Sequence, residues 1–289
     1  MNCYLIYDSR YKGIDTRMTQ LEEGCHRLGI TCTPLDGQTI DHTQLPVPGR
    51  GDLLYNVSRG NEALESLLLT EDVTSFYLRQ PAFVTHNSNT VKYATAHRKA
   101  GLSQPRTIFE PAADRELLRK YVDLLGGFPI VLKVMGGTLG IGTMQVDSMA
   151  GLVSVVEYLL STGTRFVMRQ FIKAKRGSRL YVLGDKVILA GDFTIPADDF
   201  RNPSALQDLE YTVTDYPDDM QQLAIDATRL ANVEFAGVDI LEDEAGHFYL
   251  LEVNFPAGFA LAQYLDFDLG GKLVTYLYHK ALKQAGPTA

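Results

Sequence analysis

Phe248-Tyr-Leu-Leu-Glu252-Val-Asn254-Phe-Pro-Ala-Gly258-Phe259 is an apolar run that carries two polar side chains and then breaks at Pro256 and Gly258. In a strand, residues i and i+2 project from one face, so Glu252 and Asn254 stand together, roughly 7 Å apart along the chain. Leu251, Val253 and Phe255 point the other way. Just upstream, Phe235-Ala-Gly-Val238-Asp239-Ile240-Leu241 reads as a second apolar strand with a single acid. Asp239 precedes Glu252 by 13 residues, and the turn-like Glu242-Asp-Glu-Ala-Gly246 lies between them. That spacing predicts a β-hairpin with Asp239 beside Glu252. Singly, each polar residue is explained by a strand end or a solvated face. Together, inside two apolar strands, two carboxylates and an amide make an oxygen-rich set suited to one or two Mg²⁺ ions facing a phosphate chain.

The 289 residues are 45% hydrophobic with a net charge of −8, enough for a large core in two domains or a divided one. The acidic balance argues against non-specific nucleic-acid binding and disfavours a strongly acidic macromolecular acceptor. No apolar run approaches the ~20 residues that cross a bilayer. The start, Met1 to Asp8, lacks the basic and apolar regions of a signal peptide. Cys3, Cys25 and Cys32 form no metal-ligand spacing, and an odd count fits a reducing cytoplasm. The expectation is a cytoplasmic protein with no membrane or nucleic-acid partner.

From the N-terminus, strands are expected at 3–8, 30–35, 52–57 and 82–85, with helices at 15–29 and 61–79. This is a small parallel-sheet unit. Ligands of such sheets sit at the carboxyl ends of strands, which makes Ser58 and Arg59 candidates for a substrate carboxylate. A helix follows to Ala100, with Lys92 in its first turns, then a strand at 106–109, a helix over 112–125 and an apolar strand ending near Lys133. Met135-Gly136-Gly137-Thr138-Leu139-Gly140-Ile141-Gly142 has four glycines in seven residues. It is no Walker A loop, because its lysine precedes the glycines, and Thr143–Val146 after it reads as a strand. It is therefore expected as a hairpin flap able to close over phosphates, with Lys133 supplying charge. Phe166–Ile172 is expected as a strand offering backbone groups and an apolar wall to a flat base. Lys173–Arg179 reads as a basic turn, 196–217 as a long loop with Phe200-Arg201-Asn202 its most site-like triplet, and 219–232 and 267–284 as helices.

The ordered combination of lysine, glycine-rich flap, apolar hinge strand, Gly237-Val-Asp239, Glu252-Val-Asn254 and Gly258 resembles the ATP-grasp superfamily, in particular RimK-type and LysX-type carboxylate–amine ligases. The likeness runs over nearly the whole chain. It implies an α/β (α+β) ATP-grasp fold: an N-terminal parallel-sheet domain over 1–88, a central subdomain with the flap over 89–165, and a C-terminal subdomain with the metal site over 166–289. ATP would lie between the two α+β subdomains. By the resemblance, Lys92 and Lys133 contact ATP, Gly136, Gly137, Thr138, Gly140, Ile141 and Gly142 cover its phosphates, and Gln170, Phe171 and Ile172 form the adenine hinge. Arg179, Arg201 and Asn202 lie near the phosphates and acceptor, Ser58, Arg59 and Gly258 near substrate. Asp239, Glu252 and Asn254 hold Mg²⁺, with Mn²⁺ as a substituting ion.

Four positions depart from the family pattern. Gln170 stands for the hinge acid, its amide oxygen still able to accept from adenine. Gly177-Ser178 precedes Arg179 in place of Asp-Ile, Phe193-Thr194 stands for an arginine pair, and Phe255-Pro-Ala-Gly258 for Ala-Ser-Pro-Gly. The implied activity is ADP-forming ligation of a carboxylate to an amine through an acylphosphate, on amino acids, a peptide or a carrier-bound substrate, by a dimer or tetramer. Two other readings are an ATP-binding regulatory module without catalysis and an ATP-dependent phosphotransferase.

Overall fold

The structure is a computed structural model that describes residues 1–85, 90–136, 140–193 and 210–285, with the side chains of 90–92 outside the description. The N-terminal unit comprises β1 (Asn2–Tyr7), α1 (Ile14–Arg27), β2 (Thr31–Asp36), β3 (Leu53–Asn56) and α2 (Glu62–Leu68). Its sheet is parallel in the order β2-β1-β3. Period-2 alternation splits the strands between two cores. Cys3, Leu5, Leu53 and Tyr55 face α1, whereas Tyr4, Ile6 and Leu54 face α2. Helix α1 buries Ile14, Met18, Leu21 and Cys25, the stripe expected of one helical face, and the chain leaves it through Gly29 at φ 67°.

Two expectations for this unit fail. The helix expected over 61–79 ends at Leu68, and no strand forms at 82–85. After Leu69 the chain turns extended, and Thr74 pairs with β3 instead: Leu54 N–H donates to Thr74 O at 2.9 Å and Thr74 N–H to Asp52 O at 2.9 Å. The apolar spacing of Val73 and Phe76 mimicked a helix, but both side chains are buried from this irregular segment.

The central unit follows: α3 (Thr90–Lys99), β4 (Thr107–Phe109), α4 (Arg115–Leu125), β5 (Ile130–Val134), β6 (Thr143–Val146), α5 (Met149–Ser161) and β7 (Phe166–Gln170). Its antiparallel sheet runs β4-β7-β5-β6. One face is packed by α4 and α5, whose Leu118, Val122, Leu152 and Val156 bury Ile130, Leu132 and Met168. Asp114 and Ser148 cap these helices, accepting from Leu117 N–H and Gly151 N–H. Lys133, Val131 and Arg169 alternate with the core residues and so belong to the opposite face. Because β7 pairs with β4 and β5, this sheet continues past the boundary expected at residue 165.

The C-terminal unit holds β8 (Ala174–Leu183), β9 (Lys186–Phe193), β10 (Tyr211–Thr212), α6 (Asp218–Leu230), β11 (Phe235–Asp243), β12 (Phe248–Asn254), α7 (Ala260–Tyr264) and α8 (Leu269–Ala285). Its antiparallel sheet runs β10-β9-β8-β11-β12. The basic turn expected at Lys173–Arg179 is instead the first half of β8. Its charges are matched within the sheet: Arg176 pairs with Glu242 at 2.7 Å and Asp192 at 3.5 Å. No described helix is long and apolar enough to cross a membrane.

The largest core cluster is shared by the N- and C-terminal units, joining α1, β1 and β3 to β8, β11, α6 and α8. Tyr55 meets Phe76 edge-on at 4.9 Å and Phe235 at 6.4 Å. The boundary expected at residue 88 therefore separates segments with a common interior. Helices α1 and α8 approach through glycines: a Cβ on Gly270 would lie 2.6 Å from the backbone carbon of Gln20, and one on Gly24 3.0 Å from Gly271 Cα. Gly→Ala in an ordinary helix interior gains up to about 1 kcal/mol. Here the obstacle is backbone, so overpacking wins. Gly270→Ala is expected to lose about 1–3 kcal/mol of stability in denaturant unfolding; equal or greater stability than wild type would show that α1 yields.

Candidate active site

The hairpin read from the sequence forms with the expected register: Asp239 lies directly opposite Glu252, and Gly237 opposite Asn254. In the C-terminal sheet β11 is an inner strand and β12 the edge strand. Asp239 is 1% exposed and Asn254 6%, so these polar groups are held inside rather than at a solvated strand end. Asn254 Nδ2 donates to Asp239 Oδ2 at 3.3 Å, which draws the amide and the carboxylate together.

Each acceptor of this set is matched by a cation from a different part of the chain. Arg179 on the neighbouring strand β8 donates to Asp239 through both Nε and Nη2, the latter at 2.8 Å, a bidentate fork. Lys133, from the central sheet, places Nζ 3.4 Å from Glu252 Oε2. Arg59, just beyond β3, donates from Nη2 to Asn254 Oδ1 at 2.8 Å and lies 3.9 Å from Glu252 Oε1. The hairpin is thus where all three sheets converge. Burial alone would raise the Glu252 carboxyl, but Lys133, Arg59 and Arg179 together outweigh it and hold it below the usual value. Burial raises the Asp239 carboxyl, with Arg179 as the main opposing charge.

Among the described residues no group of three His, Cys, Asp or Glu converges for a metal ion. The set is two carboxylates and an amide, the hard-oxygen chemistry that suits Mg²⁺, and the cations around it supply the positive charge such a set demands.

Sequence reasoning missed Arg169. It is 7% exposed on β7, on the same sheet face as Lys133. Nε donates to Thr107 Oγ1 at 3.2 Å and Nη1 to the Leu251 carbonyl at 3.4 Å, tying the central sheet to β12. Burial lowers its pKa, and the charge of Glu252 opposes that. Beside it lies a cavity of about 20 Å³, lined by Tyr93, His97, Gln104 and Glu252 among others, room for one water. The available signal was a lone arginine inside the apolar run Phe166-Val-Met-Arg169.

The other expected positions divide. The flap is a β5–β6 hairpin, with Lys133 opposite Thr143 and with Gly136, Gly140 and Gly142 at positive φ. A Cβ on Gly142 would lie 2.9 Å from Val134 Cβ, so that glycine is also a close-packing requirement. Gly137, Thr138, Arg201, Asn202 and the side chain of Lys92 lie outside the described residues. The Gln170 amide oxygen, expected free for adenine, accepts from Arg106 N and Nε at 3.2 Å each. Ser58 is fully buried, and its hydroxyl has no hydrogen-bond partner among the described residues. Gly258 O accepts from Tyr181 at 2.5 Å.

The departures preceding Arg179 have a structural partner. Gly177 lies opposite Phe193 across β8 and β9, and a Cβ on Gly177 would fall 2.2 Å from the Phe193 ring. The next pair is also matched: Ser178 donates to Asp192 at 2.5 Å. Gly177 and Phe193 thus fit each other, a ring laid over a strand position with no side chain.

Comparison with known proteins agrees with this geometry. Residues 89–277 match the RimK-like ATP-grasp domain. The chain is 26% identical over 216 residues to a probable alpha-L-glutamate ligase of Nitrosococcus oceani, covering 74% of this chain and 70% of that protein. A second probable alpha-L-glutamate ligase, from Parasynechococcus marenigrum, is 30% identical over 185 residues; there the match covers 62% of this chain and 38% of the relative. Among solved structures, the ATP-grasp ligase PsnB complexed with its minimal precursor superposes with a TM-score of 0.71 at 18% identity, over 96% of this chain and 99% of that one. The matched domain, the two antiparallel sheets facing one acid–acid–amide hairpin and the shared architecture agree: the chain belongs to the RimK-like ATP-grasp ligases.

Proposed function

We propose that the protein joins a carboxylate to an amine at the expense of ATP, through an acylphosphate, and that the β11–β12 hairpin is its catalytic centre. The observation that carries this reading is the convergence of Lys133, Arg59 and Arg179 on Asp239, Glu252 and Asn254. ATP-grasp ligases use ATP with Mg²⁺, and a relative of this fold, PsnB, is known with Mg and ADP in place. When bound, these supply the γ-phosphoryl group that turns the carboxylate's poor oxide leaving group into phosphate.

The protein's residues do the rest. Asp239, Glu252 and Asn254 would hold the divalent cation, and Lys133 with Arg179 would stabilise charge on the transferring phosphoryl and acyl oxygens. A substrate carboxylate oxygen attacks phosphorus and ADP departs. The amine then attacks the acyl carbon, phosphate leaves with the C–O bonding pair, and the amine proton passes to solvent. The backbone of Phe171 and Ile172 faces the base, since Arg106 occupies the Gln170 side chain. The flap that starts at Gly136 and returns at Gly140 to Gly142 would cover the phosphates and keep water from the intermediate; Lys92, Arg201 and Asn202, outside the described residues, are assigned to the same task by the family likeness alone. Amino acids, peptides and carrier-bound acids are the substrate classes, in keeping with glutamate ligases among the relatives and a precursor substrate for PsnB.

Purified protein incubated with Mg²⁺, ATP and pooled amino acids, with and without an added amine, is expected to release ADP and phosphate in an amine-dependent way. AMP release would mean adenylation and overturn the acylphosphate route. A product heavier by one phosphate would mean phosphotransfer, and ATP binding without turnover across the pools would favour a regulatory module. Glu252→Gln keeps the side-chain shape but loses the ligating charge, so turnover is expected to fall by on the order of 10²-fold or more; wild-type turnover would remove Glu252 from the centre. Lys133→Met is expected to weaken MgATP use by about 10²-fold with the fold retained; an unchanged KM and kcat for ATP would exclude it.

A further inference from the structure

Strand β12 carries an extra residue, and it falls beside the acid pair. Against β11 its register runs Asp239 opposite Glu252 and then Ile240 opposite Leu250, so Leu251 is skipped. The same β11 residues pair without a break with Arg179 and Ser178 of β8, so the irregularity belongs to β12. Such a bulge switches which side chains share a face. Leu250, Val253 and Phe255 all lie in one core, separated by a step of three and then of two. Strict alternation from Leu250 would turn Glu252 toward that core and leave Leu251 opposite Asp239. The bulge is therefore what places Glu252 across from Asp239.

The carbonyl of the extra residue finds a donor outside its own sheet: Arg169 Nη1 donates to Leu251 O at 3.4 Å. Arg169 is fixed in turn by β4. Thr107 is its cross-strand neighbour, Thr107 Oγ1 accepts from Arg169 Nε at 3.2 Å, and the same hydroxyl donates to the Pro105 carbonyl at 2.9 Å. One residue before the bulge, Leu250 N–H donates to Ser103 O at 2.9 Å. A neutral side chain could make such a tie. A guanidinium that is 7% exposed is costly to bury unless an acid offsets it. That acid is Glu252, which lines the same cavity of about 20 Å³ and whose charge acts on Arg169. Arg169 thus meets the bulge twice, through the backbone just before Glu252 and through the charge of Glu252 itself.

We propose that Arg169 is a positioning residue for the metal centre, holding the Leu251 bulge that sets Glu252 opposite Asp239. What Glu252 does there rests on the ligase reading; the hold on the bulge does not.

The test compares wild type with Arg169→Met, Arg169→Lys and Thr107→Val, with thermal unfolding midpoints to show that each variant is folded. Amide hydrogen exchange is followed without metal or nucleotide. In Arg169→Met the amides of 250–254 are expected to exchange about tenfold faster, with β5 and β8 unchanged. Arg169→Lys should recover part of that protection, and Thr107→Val should lose a smaller part of it. Uniformly faster exchange, or wild-type protection at 250–254 in Arg169→Met, would overturn the proposal. The second readout is ADP binding as Mg²⁺ is raised. Arg169→Met is expected to need about tenfold more Mg²⁺ for half-maximal binding, and to add little further shift in a Glu252→Gln background. An unshifted Mg²⁺ midpoint in Arg169→Met, or shifts that simply add, would mean that Arg169 only ties two sheets together. A midpoint unmoved by Glu252→Gln itself would instead sink the metal reading of the hairpin, while exchange at 250–254 still decides whether Arg169 holds the bulge.

Discussion

The contact between Lys133 and Glu252 is the one on which the arrangement of the centre depends, because it joins two sheets that share no strand. Around it the charges are uneven: Arg59, Lys133, Arg169 and Arg179 surround two acids, Asp239 and Glu252. In a half-buried cleft an excess of cations favours an anion between the sheets. The same excess explains why Glu252 stays below the ordinary carboxyl range although burial pushes the other way. Removing one member of such a set leaves its partners facing each other, so the energetic weight lies in the network rather than in any pair.

That network requires its contributors to arrive from three directions at fixed positions. The N-terminal sheet is not hung loosely on the rest. Its strands β1 and β3 share a core with β8 and β11, and α1 is drawn onto α8 at glycines where backbone meets backbone. Interiors packed this closely transmit position, so Arg59 is carried to the hairpin by a packed unit. Arg169 serves the central sheet in the same way, through the Leu251 carbonyl immediately before Glu252.

Gly177 and Phe193 fit each other across β8 and β9, the ring lying over a strand position without a side chain. Arg179, two residues on from Gly177, forms its fork to Asp239.

The hairpin, its register and its acid–acid–amide set were legible in the sequence because they are local: 13 residues with a turn between two apolar runs allow few other pairings. The helices α1 and α4 and the flap between two strands were legible for the same reason, because each is a local pattern. The segment after Leu68 was not, because Val73 and Phe76 obey a helical spacing while their burial is set by partners far along the chain. Nor was Arg169, 82 residues before Leu251 with no periodicity linking the two. Lys133, Arg59 and Arg179 stood out in the sequence as site residues, but not which acceptor each would face, Arg59 being 195 residues from Asn254. Sequence alone determined which oxygen ligands stand together; only the tertiary structure decided which charges face them, because charges act through space and are brought together by packing.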